Sequence, residues 1–257
     1  MGLEGVMEEY QEQVTQAYYD REAWRYDNTH GAGQYGAQYS IKTYYRPFWK
    51  KHLKRTDAIL EIGCGTGVFT QEFSRLVKKI IAIDLSQKMI TLAKQRNPAV
   101  RFKVASAEQL PFKQHSFDSI VCVNSFSYIA DQQKALAEFQ RVLKPKGKLL
   151  LIDMNLRCPA YWIMYVTRHR RLKLFFTRLL RSTPGKMQET LRENGFTVLK
   201  CRGGNFVPHG VGKLRAWLFF ILLDRTLGRL PFLRNFGMRV FCAAQAPKAK
   251  SLLKGKR

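Results

Sequence analysis

The stretch Leu60-Glu61-Ile62-Gly63-Cys64-Gly65-Thr66-Gly67 decides how this chain is read. It closes an apolar run, residues 58–62, and opens an amphipathic segment, residues 68–77. Three alternate glycines let the backbone turn sharply and let a ligand approach with no side chain in the way. A second apolar run, Lys79-Ile80-Ile81-Ala82-Ile83, ends on the acidic Asp84. A glycine-rich turn after one strand and a carboxylate at the end of the next is the layout of a nucleoside-cofactor site at the mouth of a parallel sheet. A phosphate loop would end in Gly-Lys-Ser or Gly-Lys-Thr, whereas Val68-Phe69 follows Gly67. A dinucleotide fingerprint places its third glycine three residues after the second; here Gly67 follows Gly65 by two.

Outward from this turn, short apolar runs alternate with helical periodicity. Residues 58–62, 80–83, 101–104, 119–124 and 148–153 read as strands, and residues 68–77, 86–95 and 132–143 as helices. Such alternation implies an α/β fold, a parallel sheet covered by helices on both faces. Ligands then sit beyond the carboxyl ends of the strands. Gly67, Asp84, Glu108 and Asn124 all fall at or just after such ends.

Glycines 63, 65 and 67 after Glu61 resemble the first motif of the class I S-adenosylmethionine-dependent methyltransferases. Asp84-Leu85-Ser86-Gln87-Lys88-Met89-Ile90 is similar to the family's second-strand end, and Ala105-Ser106-Ala107-Glu108-Gln109-Leu110-Pro111-Phe112 resembles its third motif. Ser116-Phe117-Asp118-Ser119-Ile120-Val121-Cys122-Val123-Asn124-Ser125 resembles the fourth strand, and Arg141-Val142-Leu143-Lys144-Pro145-Lys146-Gly147-Lys148-Leu149 the turn before the fifth. The subgroup most similar is the broad small-molecule and lipid type that includes the ubiquinone/menaquinone methyltransferases.

The resemblance implies S-adenosylmethionine as cofactor and a particular set of residues around it. Gly63, Gly65 and Gly67 pass under its methionine part and ribose, and Asp84 accepts from the ribose hydroxyls. Leu85 and the Ala107-Glu108 pair border the adenine, Asn124 and Ser125 face the sulfonium, and Glu61 and Met89 complete the set. It also implies a Rossmann-like, seven-stranded, mostly parallel sheet. Residues 186–196 are then the last helix, 197–201 the sixth strand and 238–244 an antiparallel seventh. Two mainly helical insertions remain, at about 156–184 and 204–236, within a methyltransferase domain at 46–246. Residues 1–45 form an N-terminal lid or cap: Tyr18-Tyr19-Asp20-Arg21-Glu22-Ala23-Trp24-Arg25-Tyr26-Asp27 resembles the segment that covers the cofactor in this family, and Gly31, Gly33 and Gly36 supply a hinge. Residues 247–257, with five Lys/Arg and no acid, read as a basic disordered tail.

The formal net charge is +25, and it is lopsided. From Arg157 to Arg257 there are 22 Lys/Arg against Glu189, Glu193 and Asp224. Charge of this kind reports on partners rather than fold, and anionic lipid surfaces and nucleic acids are the two candidates. In residues 168–181, Leu172, Phe175, Phe176, Leu179 and Leu180 share about 140° of a helical wheel, with Arg170, Arg171, Lys173, Arg178 and Arg181 opposite. A basic amphipathic helix of this kind lies well in a lipid interface. The second insertion carries Ala216-Trp217-Leu218-Phe219-Phe220-Ile221-Leu222-Leu223, too short to cross a bilayer, which needs about 20 residues. It dips into the interface, walls a greasy pocket or serves as a core helix. Nucleic acid fits less well. Methyltransferases acting on base amino groups carry an Asn/Asp-Pro-Pro-Tyr/Phe motif, where this chain has Asn124-Ser125-Phe126-Ser127-Tyr128.

On the acceptor side the candidate catalytic residues are Tyr19, Tyr26 and His30 in the lid and His209 in the second insertion. A histidine could serve as base for a phenol or enol, and tyrosines could surround an amine by cation–π contact. No metal-ligand spacing is present. Five scattered cysteines argue against zinc and against a disulfide framework, and suit a reducing compartment. The amino terminus lacks the apolar core of a secretory signal. The expectation is methyl transfer to a lipophilic small-molecule or lipid acceptor by a cytoplasmic protein peripherally associated with an anionic membrane. The alternatives are an RNA methyltransferase and a non-catalytic cofactor-binding, membrane-docking protein. Oligomeric state is left open.

Overall fold

The computed structural model describes residues 3–30, 35–159, 161, 182–207, 214–230 and 232–248. One seven-stranded sheet has the order β3-β2-β1-β4-β5-β7-β6. Its strands are β1 (Ala58–Ile62), β2 (Lys79–Asp84), β3 (Arg101–Val104), β4 (Phe117–Val123), β5 (Leu143–Met154), β6 (Thr197–Gly204) and β7 (Arg239–Gln245). The first five run parallel, and β7 lies antiparallel to both β5 and β6.

Side chains alternate across this sheet and divide the core in two. Leu60 and Ile62 of β1, Ile120 and Cys122 of β4, Leu149 and Leu151 of β5, and Val240 and Cys242 of β7 face one side. There they meet α6 (Gln132–Val142) and α7 (Pro184–Glu193) through Leu136, Phe139, Met187 and Leu191. Ile59, Val121, Leu150, Ile152, Phe241 and Ala243 face the other side. They pack on Tyr45 of a π-helical segment (Ile41–Tyr45), Trp49 of α3 (Arg46–His52) and Phe73 of α4 (Val68–Leu76). Burial on both faces explains why the strands read as continuous apolar runs rather than as alternating ones.

Helix starts follow local side-chain chemistry. Ser86 caps α5 (Gln87–Arg96) by accepting from the Met89 N–H, and Asp131 caps α6 by accepting from the Lys134 N–H. Thr183 caps α7, with Pro184 in its first turn. Before the sheet, α1 (Leu3–His30) runs 28 residues, well beyond the polar stretch 8–16 that reads as helical in sequence, and α2 (Tyr35–Ser40) follows it.

The structure corrects the cysteine expectation. Cys201 of β6 and Cys242 of β7 stand opposite each other in the antiparallel register and are joined by a disulfide. Forty-one residues apart in the chain, they give no local spacing signal. Cys64, Cys122 and Cys158 are buried.

Of the two insertions, the basic amphipathic segment 168–181 lies outside the described residues, as do Gly31, Gly33, His209 and residues 249–257. The second insertion contributes α8 (Leu214–Leu227) and a short 3₁₀ turn (Leu233–Phe236). Among the described residues, no helix is long and apolar enough to cross a membrane.

Candidate active site

Strand order reverses between β1 and β4, the place where open α/β sheets take ligands. A cleft opens there beyond the carboxyl ends of β1, β2 and β4, with about 810 Å³ of space counted to its open mouth. Gly63 and Gly65 form its floor, and Asp84, Leu85 and Met89 one wall. Ala105 to Glu108 and the end of β4 (Val123, Asn124 and Ser125) form another. Glu12, Thr15, Tyr19 and Tyr26 of α1 cover it from above, and Tyr128 closes the side.

The three glycines of the turn serve three different ends. A side chain on Gly63 would meet Ser125 Cβ at 2.5 Å, so this glycine lets the β4 end press against the turn. Ser125 Oγ in turn donates to the Ile62 carbonyl at 2.9 Å. At Gly67, the residue before α4, a side chain would meet Asn97 Nδ2 at 2.7 Å and Ala93 at 3.1 Å, so this glycine lets α5 close on α4. Only Gly65, at φ +54°, opens onto the cleft with nothing within 4 Å of where a side chain would sit. That open space is what a cofactor lying across the turn requires.

Asp84 stands at the carboxyl end of β2. One oxygen accepts from the Gly65 N–H at 2.8 Å and the other from the Ser86 N–H at 2.9 Å. Each carboxylate oxygen keeps a further lone pair for a diol. Burial raises its pKa, and the backbone N–H donors oppose that rise. At the end of β4, Asn124 takes φ +54° with its N–H on the Ile152 carbonyl at 2.6 Å. Its Oδ1 is buried with no hydrogen-bond partner among the described residues, while the residue itself lines the cleft wall.

Helix α1 is strapped over this opening at two points. Asp20 accepts from Ser86 Oγ at 2.5 Å, and Asp27 accepts from Thr66 Oγ1 at 2.6 Å while pairing with Arg96. Arg96 also donates to the Thr66 carbonyl at 2.7 Å, so lid, glycine turn and α5 are tied together. Beneath the strap, Tyr19 packs edge-on against Tyr26 and Tyr128, with ring centroids 6.2 and 5.9 Å apart. Burial and the neighbouring Asp84 push the Tyr26 phenol up to about 12. Burial also raises Tyr19, reinforced by Tyr128, and raises Tyr128, reinforced by Asp153. All three are therefore neutral phenols near neutral pH, fit to wall the cleft and donate hydrogen bonds rather than to take protons.

Eleven of the residues singled out in the sequence line the cleft: Tyr19, Tyr26, Gly63, Gly65, Asp84, Leu85, Met89, Ala107, Glu108, Asn124 and Ser125. Glu61 and Gly67 do not. Glu61 is buried behind the turn, accepting from Thr70 Oγ1 at 2.6 Å, and so fastens β1 to α4. His30 ends α1, and its side chain lies outside the described ones. Glu12, Thr15 and Tyr128 line the cleft without having been singled out. The two on α1 carry no motif, while Tyr128 sits four residues after Asn124 on the same strand exit. Among the described residues, no three His, Cys, Asp or Glu side chains are grouped to hold a metal ion.

Comparison with known proteins agrees with this geometry. The methyltransferase-domain family model matches residues 60–151, which hold β2 to β4, most of β1 and β5, and every lining residue outside α1. An uncharacterised methyltransferase-like protein of Schizosaccharomyces pombe is 34% identical over 200 residues, covering 77% of this chain and 71% of that protein. The ubiquinone/menaquinone biosynthesis C-methyltransferase of a Marinomonas species is 34% identical over 122 residues, covering 42% of this chain and 49% of that enzyme. Among solved structures, a SAM-dependent methyltransferase from Thermotoga maritima superposes with a TM-score of 0.60 at 20% identity, covering 90% of this chain and 98% of that one. With a glycine turn open to a nucleoside, a carboxylate at the β2 end and kinship over three-quarters of its length, this chain belongs to the S-adenosylmethionine-dependent methyltransferases.

Proposed function

We propose that this enzyme transfers the methyl group of S-adenosylmethionine to a lipophilic acceptor, a quinone-type ring or a lipid, presented at a membrane surface. The observation that carries the reading is the setting of α8. Its Asp224 is buried and accepts from the hydroxyls of Tyr39 at 2.8 Å and Tyr44 at 2.7 Å, and from the Phe206 N–H at 2.8 Å. That anchor fixes the rotation of the helix. Leu218, Phe219 and Leu222, on the side away from Asp224, are 54%, 61% and 64% exposed. A helix pinned with its large apolar side chains outward suits burial in a lipid interface. The relative named for quinone C-methylation and the tyrosine-walled cleft support a flat, apolar acceptor.

Within the cleft, Asp84 holds the ribose and Gly65 leaves room for the chain that bears the reacting centre. The bound cofactor supplies both the methyl group and its own leaving group. Residues 1–45 act as the lid, with α1 excluding water and aligning the acceptor. Asn124 and Ser125 face the transfer site, and Tyr19, Tyr26 and Tyr128 hold the acceptor ring.

Incubation with methyl-labelled cofactor, native membranes and total RNA, followed by partition between organic solvent and water, tests the reading. Label is expected in the organic phase; label confined to the nucleic-acid fraction would overturn the lipophilic acceptor. Asp84→Ala is expected to abolish the signal and to weaken cofactor binding at least about tenfold by calorimetry, the loss of one or two charge-assisted hydrogen bonds.

A further inference from the structure

We propose that Lys51, Lys200, Arg202 and Arg234 form a docking site for the phosphates of anionic phospholipids, at the β6 edge of the sheet. The inference rests on the membrane-surface reading and names the lipid chemistry that the enzyme grips. Lys200 and Arg202 stand opposite Ala243 and Phe241 in the β6–β7 register, which puts them on the sheet face that α3 covers. Lys51 lies exposed in the last turn of α3. Arg234 arrives from the 3₁₀ turn, which sits directly on β6. Gly203 N–H donates to Asn235 Oδ1 at 3.2 Å, and a side chain on Gly203 would lie 2.7 Å from the Arg234 carbonyl.

These four cations come from three elements, and among the described residues no carboxylate pairs with any of them. Arg202 and Arg234 are half-buried, and Arg234 Nε is buried with no hydrogen-bond partner. The charges also act on one another. Arg202 and Lys51 depress the Lys200 ammonium, and burial together with Arg234 depresses Arg202. Elsewhere the fold pairs its partly buried arginines, as in Arg46 with Glu72 and Arg141 with Glu138. A half-buried guanidinium without a carboxylate is a group whose partner comes from outside, and its planar fork matches a phosphate.

Lipid rather than nucleic acid follows from what lies beside the cluster. Leu230 and Phe232, four and two residues before Arg234, are 51% and 74% exposed, and they continue from the end of α8. Apolar side chains next to cations suit a headgroup boundary, where the chains enter lipid and the charges meet phosphate. A nucleic-acid backbone offers such side chains nothing to enter.

The test uses the full chain and co-sedimentation with vesicles of phosphatidylcholine alone or mixed with phosphatidylglycerol. Arg202→Ala/Arg234→Ala is expected to bind the mixed vesicles about 25-fold more weakly, about fivefold for each cation removed near an anionic leaflet. Lys94→Ala/Lys103→Ala removes two exposed cations near the opposite, β3 edge and is expected to change binding less than about twofold. Both variants are expected to bind S-adenosylmethionine as the wild type does, which verifies their folding. Equal losses in the two variants would reduce the effect to bulk charge and overturn the site. Binding of labelled RNA without binding of mixed vesicles would overturn it as well. If Arg202→Ala/Arg234→Ala binds vesicles normally while labelled methyl still enters the organic phase, the docking site fails and the lipophilic acceptor stands. The converse result leaves the docking site and removes the acceptor.

Discussion

Glu61 ends buried, with Thr70 Oγ1 2.6 Å from one of its oxygens. Burial raises its pKa from 4.5 to about 8, with Thr70 opposing the rise and Asp84 adding to it. The folded protein therefore holds a proton that the unfolded chain gives up above about pH 4.5. Stability from this group is fully present below that value and is lost as pH rises toward 8, a cost on the order of a few kcal/mol. Glu61→Gln keeps the size and removes the titration, so its thermal midpoint should fall less than the wild type's between pH 5 and 9. Parallel curves would show that Glu61 is ionised in the folded state. Asp84 and Asp153 are shifted in the same direction, so the difference between the two proteins, not either curve alone, isolates Glu61. Its presence before the glycines was legible in the sequence. Its task was not, because that depends on a threonine nine residues on, one helical turn into α4.

At the scale of elements, β1 to β5 and the helices between them were legible because both sheet faces are buried and because α5 and α6 each start on a capping side chain. Strand β3 matches its expected bounds, residues 101–104, and β1 likewise. Helix α1 was legible only in part. It has no amphipathic face to announce its length, and tertiary contacts from Asp20 and Asp27 to partners 39 to 69 residues away hold it in place. Asp27→Ala cuts one of the two straps. Asp27 and Arg96 are each about one-third exposed, so solvent discounts the pair, and S-adenosylmethionine affinity should fall about threefold to tenfold. Amide exchange across α1 should quicken while exchange in the sheet stays as it was. Unchanged protection along α1 would mean that the strap does not hold the helix.

For the whole molecule, the features missed in the sequence are those made by bringing distant segments together. The Cys201–Cys242 pair is set by the β6–β7 register, and the cation cluster by the meeting of α3, β6 and the turn after α8. Neither leaves a local spacing pattern. The disulfide closes a 41-residue span, for which chain entropy gives about 3–4 kcal/mol. Reduction, or Cys201→Ser, should lower the thermal midpoint by several degrees and leave cofactor affinity alone, since the bond lies at the far edge of the sheet from β1 and β2. Identical melts with and without reductant would show that the bond adds nothing.

The last strand made, β7, is not the last in space: it lies between β5 and β6. While the chain emerges from the ribosome, β6 has no neighbour to pair with until residues 239–245 arrive. At about 5–20 residues per second that interval lasts on the order of a few seconds. Throughout it, one edge of β5 and both edges of β6 stay open to other chains. A nascent chain stalled in that window exposes unsatisfied strand edges, so quality-control factors meet this protein late in its synthesis rather than early.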